Sequence, residues 1–131
     1  MTSIVFLHIP KTAGQTVHNE IARVLGEKNT SPVRVHTQAD EAGQFPAGYK
    51  LYSGHLDWTG VDSLPDDKFV FSILRDPRER IASFYFYLLK KAEPLPNSNL
   101  ELPQHTGLRT VLNSSADDYF SARNPGCQRF I

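Results

Sequence analysis

The stretch from Ile4 to Gly26 leaves the chain few folding choices. Ile4-Val5-Phe6-Leu7-His8-Ile9 is a short, mostly continuous apolar run rich in β-branched residues, the pattern of a strand buried inside a parallel sheet. Pro10 stops it, and Lys11-Thr12-Ala13-Gly14 forms a tight loop. Val17, Ile21, Val24 and Leu25 then recur at helical spacing, with Gly26 suited to the C′ position. The first unit is therefore strand, loop, helix.

A similar succession recurs later. Phe69-Val70-Phe71-Ser72-Ile73-Leu74 reads as the clearest strand, with Arg75 just past its end. Asp76 is an N-cap candidate, Pro77 suits the first helical position, and Glu79 lies three residues after the cap. Ile81, Phe84, Tyr85, Leu88 and Leu89 give the following helix an apolar stripe, and Lys90-Lys91 complement its C-terminal dipole. Between the two units, Glu27 to Gly48 is polar and broken, with Val33-Arg34-Val35 as a candidate short strand. Lys50 to Ser53 offers another, ending at Gly54-His55, and Asp62 to Asp67 is a turn-rich connection. Ala92 to Gly107 reads as a long loop, followed by short helices over Leu108 to Leu112 and Ala116 to Arg123. This alternation predicts an α/β chain with a mainly parallel central sheet flanked by helices in a three-layer, P-loop-like arrangement.

At 131 residues there is room for one domain, residues 1–131. Fourteen basic residues balance fourteen acidic ones, so no global field draws the chain onto nucleic acid or an anionic membrane. Any anion site must be local. Cys127 is the only cysteine, which excludes an intrachain disulfide and a Cys-based zinc framework. No apolar run approaches the roughly eighteen residues of a membrane span, and the N-terminus lacks the pattern of a signal peptide. The expected location is cytoplasmic.

Three places carry candidate chemistry. The loop His8-Ile9-Pro10-Lys11-Thr12-Ala13-Gly14-Gln15-Thr16 joins a strand to a helix N-terminus, where unpartnered N–H groups and the helix dipole favour an anion. Lys11 adds positive charge, Gly14 permits close backbone approach, and Thr12 and Thr16 add hydroxyls. A nucleotide-hydrolysing P-loop would place its lysine after the glycine and follow it with a magnesium-holding Ser or Thr, which this loop does not. Taken alone, the motif also fits a turn with a solvated lysine. Arg75 lies at a strand's carboxyl end, where open α/β sheets place ligands, and its fork suits a phosphate. Ser83, about two helical turns beyond Asp76, could reach the same anion or simply face water. Arg78 and Arg80 read as solvated. His55 can accept a proton from a hydroxyl nucleophile, with Asp57 and Trp58 near enough to orient its ring or line a cleft.

Taken jointly, Phe6 to Thr16, Ser53-Gly54-His55 and Leu74-Arg75-Asp76-Pro77-Arg78-Glu79-Arg80-Ile81-Ala82-Ser83-Phe84-Tyr85 resemble the carbohydrate sulfotransferases that use 3′-phosphoadenosine-5′-phosphosulfate (PAPS). The likeness is to the branch of the heparan and dermatan uronyl 2-O-sulfotransferases and their bacterial relatives. The resemblance implies a 5′-phosphosulfate loop formed by Lys11, Thr12, Ala13, Gly14, Gln15 and Thr16, with Lys11 near the scissile linkage. It implies that Arg75 and Ser83 hold the 3′-phosphate, that His55 is the general base, and that the product is PAP. A carbohydrate or other hydroxyl acceptor is expected, with no metal and no nucleic acid. Gln15 departs from the family pattern, which more often has Thr or Ser there. Asn124-Pro125-Gly126-Cys127-Gln128-Arg129-Phe130 resembles an Asn-x-x-Gln-x-Arg-Phe segment that family members carry in mid-domain. The expectation is thus a domain truncated at its C-terminus, either catalytic or a module that binds PAP without turnover. A P-loop nucleotide kinase or hydrolase is the remaining alternative.

Overall fold

The computed structural model describes residues 2–121, so Cys127, the segment from Asn124 to Phe130 and Arg123 lie outside the described residues. The chain divides into two compact units, Met1–Leu74 and Arg75–Ile131.

The first unit holds a sheet of three strands, β1 (Ser3–Leu7), β2 (Leu51–Gly54) and β3 (Lys68–Phe71), and a helix α1 (Gly14–Leu25). All pairings are parallel and the order is β2-β1-β3, with β1 central. Val5 pairs with Tyr52 and Val70, whereas Phe6 pairs with Ser53 and Phe71. Because side chains alternate across a strand, these two rows face opposite sides. On one side Val5, Leu7 and Tyr52 pack with Phe45, Val61 and Leu64 from the connections. On the other, Phe6 stacks on Phe71 and α1 is tied to β2. The chain adopts the expected α/β class with a parallel sheet, and within the first unit α1 is tied to one face of that sheet.

Two expected strands differ in extent. β3 stops at Phe71 instead of reaching Leu74, because the Ser72 hydroxyl, not a main-chain N–H, takes the Leu7 carbonyl at 2.7 Å. Val33 to Val35 is not a strand. It lies beside β2 through isolated parallel bridges, Thr30 to Leu51 and Val35 to His55. Between them the ladder is broken: the Val33 N–H donates to Ser31 Oγ, and the Ser53 carbonyl accepts from the Arg34 side chain (Nε, 2.6 Å).

The described part of the second unit is helical. α2 (Pro77–Ala92) starts as the sequence predicts, with Asp76 Oδ1 accepting from the Arg78 and Glu79 N–H groups. The region expected as a loop contains a one-turn helix α3 (Asn97–Leu100) and a 3₁₀ turn at Pro103–His105. Leu100 explains it, being buried in a cluster with Tyr85, Ala92, Leu108, Val111 and Tyr119. These last come from α2, α4 (Thr106–Asn113) and α5 (Ala116–Ser121). Of the predicted α2 stripe, Tyr85, Leu88 and Leu89 join this cluster. Arg78 is exposed as expected, but Arg80 is only 6% exposed and is not a solvated cation.

Candidate functional site

The loop after β1 is built from unusual backbone. Lys11 and Ala13 both have positive φ, 67° and 61°, a conformation that non-glycine residues rarely hold without functional reason. Thr12 between them does not, and such alternation turns successive N–H groups toward one side, as in anion-binding nests. Thr12 is buried and its hydroxyl donates to the Ile9 carbonyl at 2.8 Å, so it braces the loop. Ala13 is the N-cap of α1 and supplies no side-chain cap. The first intrahelical bond is from the Val17 N–H to the Ala13 carbonyl, which leaves Gly14, Gln15 and Thr16 with outward N–H groups at the positive end of the helix dipole. The Gln15 amide donates to Asn19 Oδ1 at 2.8 Å.

His55 follows β2, and therefore lies at the same carboxyl edge of the sheet as this loop. Its Nδ1 is 2.6 Å from the His8 carbonyl oxygen. A carbonyl only accepts, so Nδ1 carries the hydrogen and the neutral ring keeps its lone pair on Nε2. That is the tautomer a general base needs. The ring also stacks on His8, with centroids 4.4 Å apart. Asp57 does not orient His55; it exchanges two hydrogen bonds with buried Gln44. Trp58 is 68% exposed.

Sequence reasoning passed over Arg34 and His18. Arg34 Nε donates to the Ser53 carbonyl, and Nη1 donates to His18 Nε2 at 2.7 Å. Because arginine only donates, His18 must hold its hydrogen on Nδ1, which donates to Ser53 Oγ at 3.0 Å. The Arg34 carbonyl accepts the His55 N–H, so the 34–36 segment clasps the turn that carries His55. The only sequence signal was the polar His18 on the apolar stripe of α1. A pocket of about 270 Å³ is lined by His8, Gln15, Arg34, Val35, Gly54 and His55. Among the described residues no carboxylate lines it, and Arg34 is a fixed cation there.

The family model for the sulfotransferase family matches residues 2–127, nearly the whole chain. The chain belongs to the sulfotransferase family. No curated protein and no solved structure matches it. Family membership makes the chain a transferase that acts on an acceptor substrate. Among the described residues no helix is long and apolar enough to cross a membrane.

In this sulfotransferase, Arg75 and Ser83 belong to the second unit. Arg75 precedes the Asp76 cap, with Nε 3.6 Å from Glu79 Oε2, and Ser83 is half-buried in the second turn of α2.

His8 and His18 both resist protonation beside Arg34. Burial, then the neighbouring His55, Arg34 and His18, push His8 down from 6.5 to about 4. Burial and then Arg34 lower His18 as well. An unfolded chain protonates His8 near 6.5 while the folded one resists until about 4, so between those values the unfolded state binds more protons. Stability is then complete above 6.5 and is lost as pH falls toward 4. The urea midpoint is expected to be lower at pH 5 than at pH 7, with a smaller difference in His8→Phe. Equal pH dependence in the two proteins would show that His8 is not the group responsible.

Proposed function

We propose that residues 1–131 form a PAPS-dependent sulfotransferase domain that passes the sulfuryl group to a hydroxyl of a carbohydrate acceptor. The continuous family match across both units supports reading them as one domain. The observation that carries the functional reading is His55: its Nδ1–H is committed to the His8 carbonyl, which leaves Nε2 as the proton acceptor of a ring that lines a pocket with Gln15 at the start of α1.

The residues fit the donor's charge. Outward N–H groups of Gly14, Gln15 and Thr16, the turn through Thr12 and Ala13, and the Lys11 ammonium form a site for the 5′-phosphosulfate. Arg75 and Ser83 are assigned to the 3′-phosphate, Arg75 for its bidentate fork. In the transfer, the acceptor hydroxyl gives its proton to His55 Nε2 and its oxygen forms the new bond to sulfur. The bond from sulfur to the bridging oxygen breaks, and its electron pair leaves on the phosphate of PAP. Lys11 and the loop N–H groups stabilise that growing negative charge, the larger part of catalysis in transfers of this kind.

Melting temperature tests the donor assignment. PAP at about 100 times its Kd is expected to raise the melting temperature on the order of 10 °C, and AMP clearly less. Arg75→Ala should erase the preference for PAP, whereas Lys11→Ala should shrink both shifts. Equal responses of the unaltered chain to PAP and AMP would remove the case for a 3′-phosphate site.

A further inference from the structure

The His8 side chain has no role in the assignments above, yet His8 meets His55 twice. Its carbonyl accepts the Nδ1–H, and its ring lies against the His55 ring at 4.4 Å with 24° between the planes. The His8 ring is itself confined. Phe6 stacks on it at 5.7 Å and 21°, and Phe71 supports Phe6 at 4.8 Å and 13°. On another side lies Gly14: a Cβ there would fall 1.9 Å from His8 Cδ2 and 2.0 Å from Nε2. The glycine of the loop therefore has a second reason to be glycine, since α1 begins where the His8 ring leaves no room. The His8 N–H donates to the Gly54 carbonyl at 2.8 Å, which fixes the main chain beneath the ring.

We propose that His8 is a positioning residue for His55: its ring, wedged among Phe6, Gly14 and His55, sets the plane in which His55 presents Nε2 to the pocket. This rests on reading His55 as the base. A ring held by one hydrogen bond still rotates about its side-chain torsions, whereas a stacked neighbour restricts both. His8 stays neutral near pH 7, so when His55 takes up a proton it lies over an uncharged π face, an attractive arrangement for a cation. A second charged imidazole at that separation would oppose the proton transfer.

The full chain is compared with its His8→Ala, His8→Phe and His55→Ala variants by two measurements. Imidazole ¹H–¹⁵N correlation reports which nitrogen of His55 carries the hydrogen, independently of turnover. Steady-state transfer separates kcat from the donor KM. The unaltered chain and His8→Phe are expected to hold His55 in the single Nδ1–H form. In His8→Ala the two tautomers should mix, with kcat about 10- to 100-fold lower and the donor KM within about twofold. A single Nδ1–H form with full kcat in His8→Ala overturns the proposal. So does a loss in His8→Phe equal to that in His8→Ala, because the plane of the ring and not its nitrogens is claimed to matter. If His8→Ala does not fold, His8→Leu, which fills the volume without a flat face, supplies the comparison. Unchanged transfer in His55→Ala removes the base assignment instead, and the tautomer measurement still judges His8.

Discussion

His55→Ala should lower the rate of sulfuryl transfer about 10²- to 10⁴-fold, the usual contribution of a positioned base, while the melting shift produced by PAP is retained. The split follows from the placement of the groups. The donor's 5′ end is assigned to the N–H groups and lysine of the loop, none of which His55 supplies. The acceptor hydroxyl, by contrast, is weakly nucleophilic until a neighbour takes its proton. Chemical rescue sharpens the test. The alanine variant leaves space beside the pocket of about 270 Å³ that His55 lines. Added imidazole should recover part of the lost rate in His55→Ala and none in Lys11→Ala. A variant that keeps full transfer without imidazole would exclude His55 as the base and leave Arg34 and His8 to be explained as scaffold.

The chain announced its framework more readily than its chemistry. Continuous apolar runs at Ile4–Leu7 and Phe69–Phe71 and the Asp76-Pro77 cap are local signals, set by neighbours within a few residues. They survived folding because burial of β1 and capping of α2 pull in the same direction as local preference. Val33 to Val35 misled because its apolar spacing suits a strand, while Ser31 and the Arg34 side chain compete for the ladder bonds. The one-turn helix at Asn97–Leu100 was hidden for a different reason: Leu100 is held by the cluster around Tyr85, a contact no local window contains.

The site divides the same way. That residues 11–16 join β1 to the start of α1, and that His55 follows β2, was legible because strand ends and helix starts have recognisable residue types. The positive φ at Lys11 and Ala13 was not, since neither residue type favours it. Arg34 and His18 were invisible as a pair: they are 16 residues apart and meet only because the 34–36 segment lies alongside β2. What they make is a clasp. Two donors of one guanidinium and both nitrogens of one imidazole are used to hold Ser53, the residue two before His55. A network in which each buried polar atom has its partner also narrows the geometries available to its neighbours.

Gly54→Ala should therefore be among the most damaging single substitutions in the first unit. A Cβ at position 54 would fall 2.0 Å from the Arg34 carbonyl oxygen and 2.6 Å from its carbon, both backbone atoms. A side chain in the way could swing aside; a backbone must move as a piece. Here it is held by the His55 N–H on that same oxygen at 2.8 Å, by Arg34 Nε on the Ser53 carbonyl and by Nη1 on His18. Relieving the clash means giving up these bonds or shifting β2 out of register with β1. The expected loss is about 3–5 kcal/mol, the upper range for a single change, seen as a much lower urea midpoint or as failure to accumulate folded protein. Gly107→Ala is the matched control. It lies in α4 with nothing within 4 Å of the added carbon, so alanine there should be neutral or stabilise by about 0.5–1 kcal/mol. If Gly54→Ala unfolded at the same urea concentration as Gly107→Ala, Arg34 could not be packed against the turn that carries His55, and the clasp would have to be abandoned.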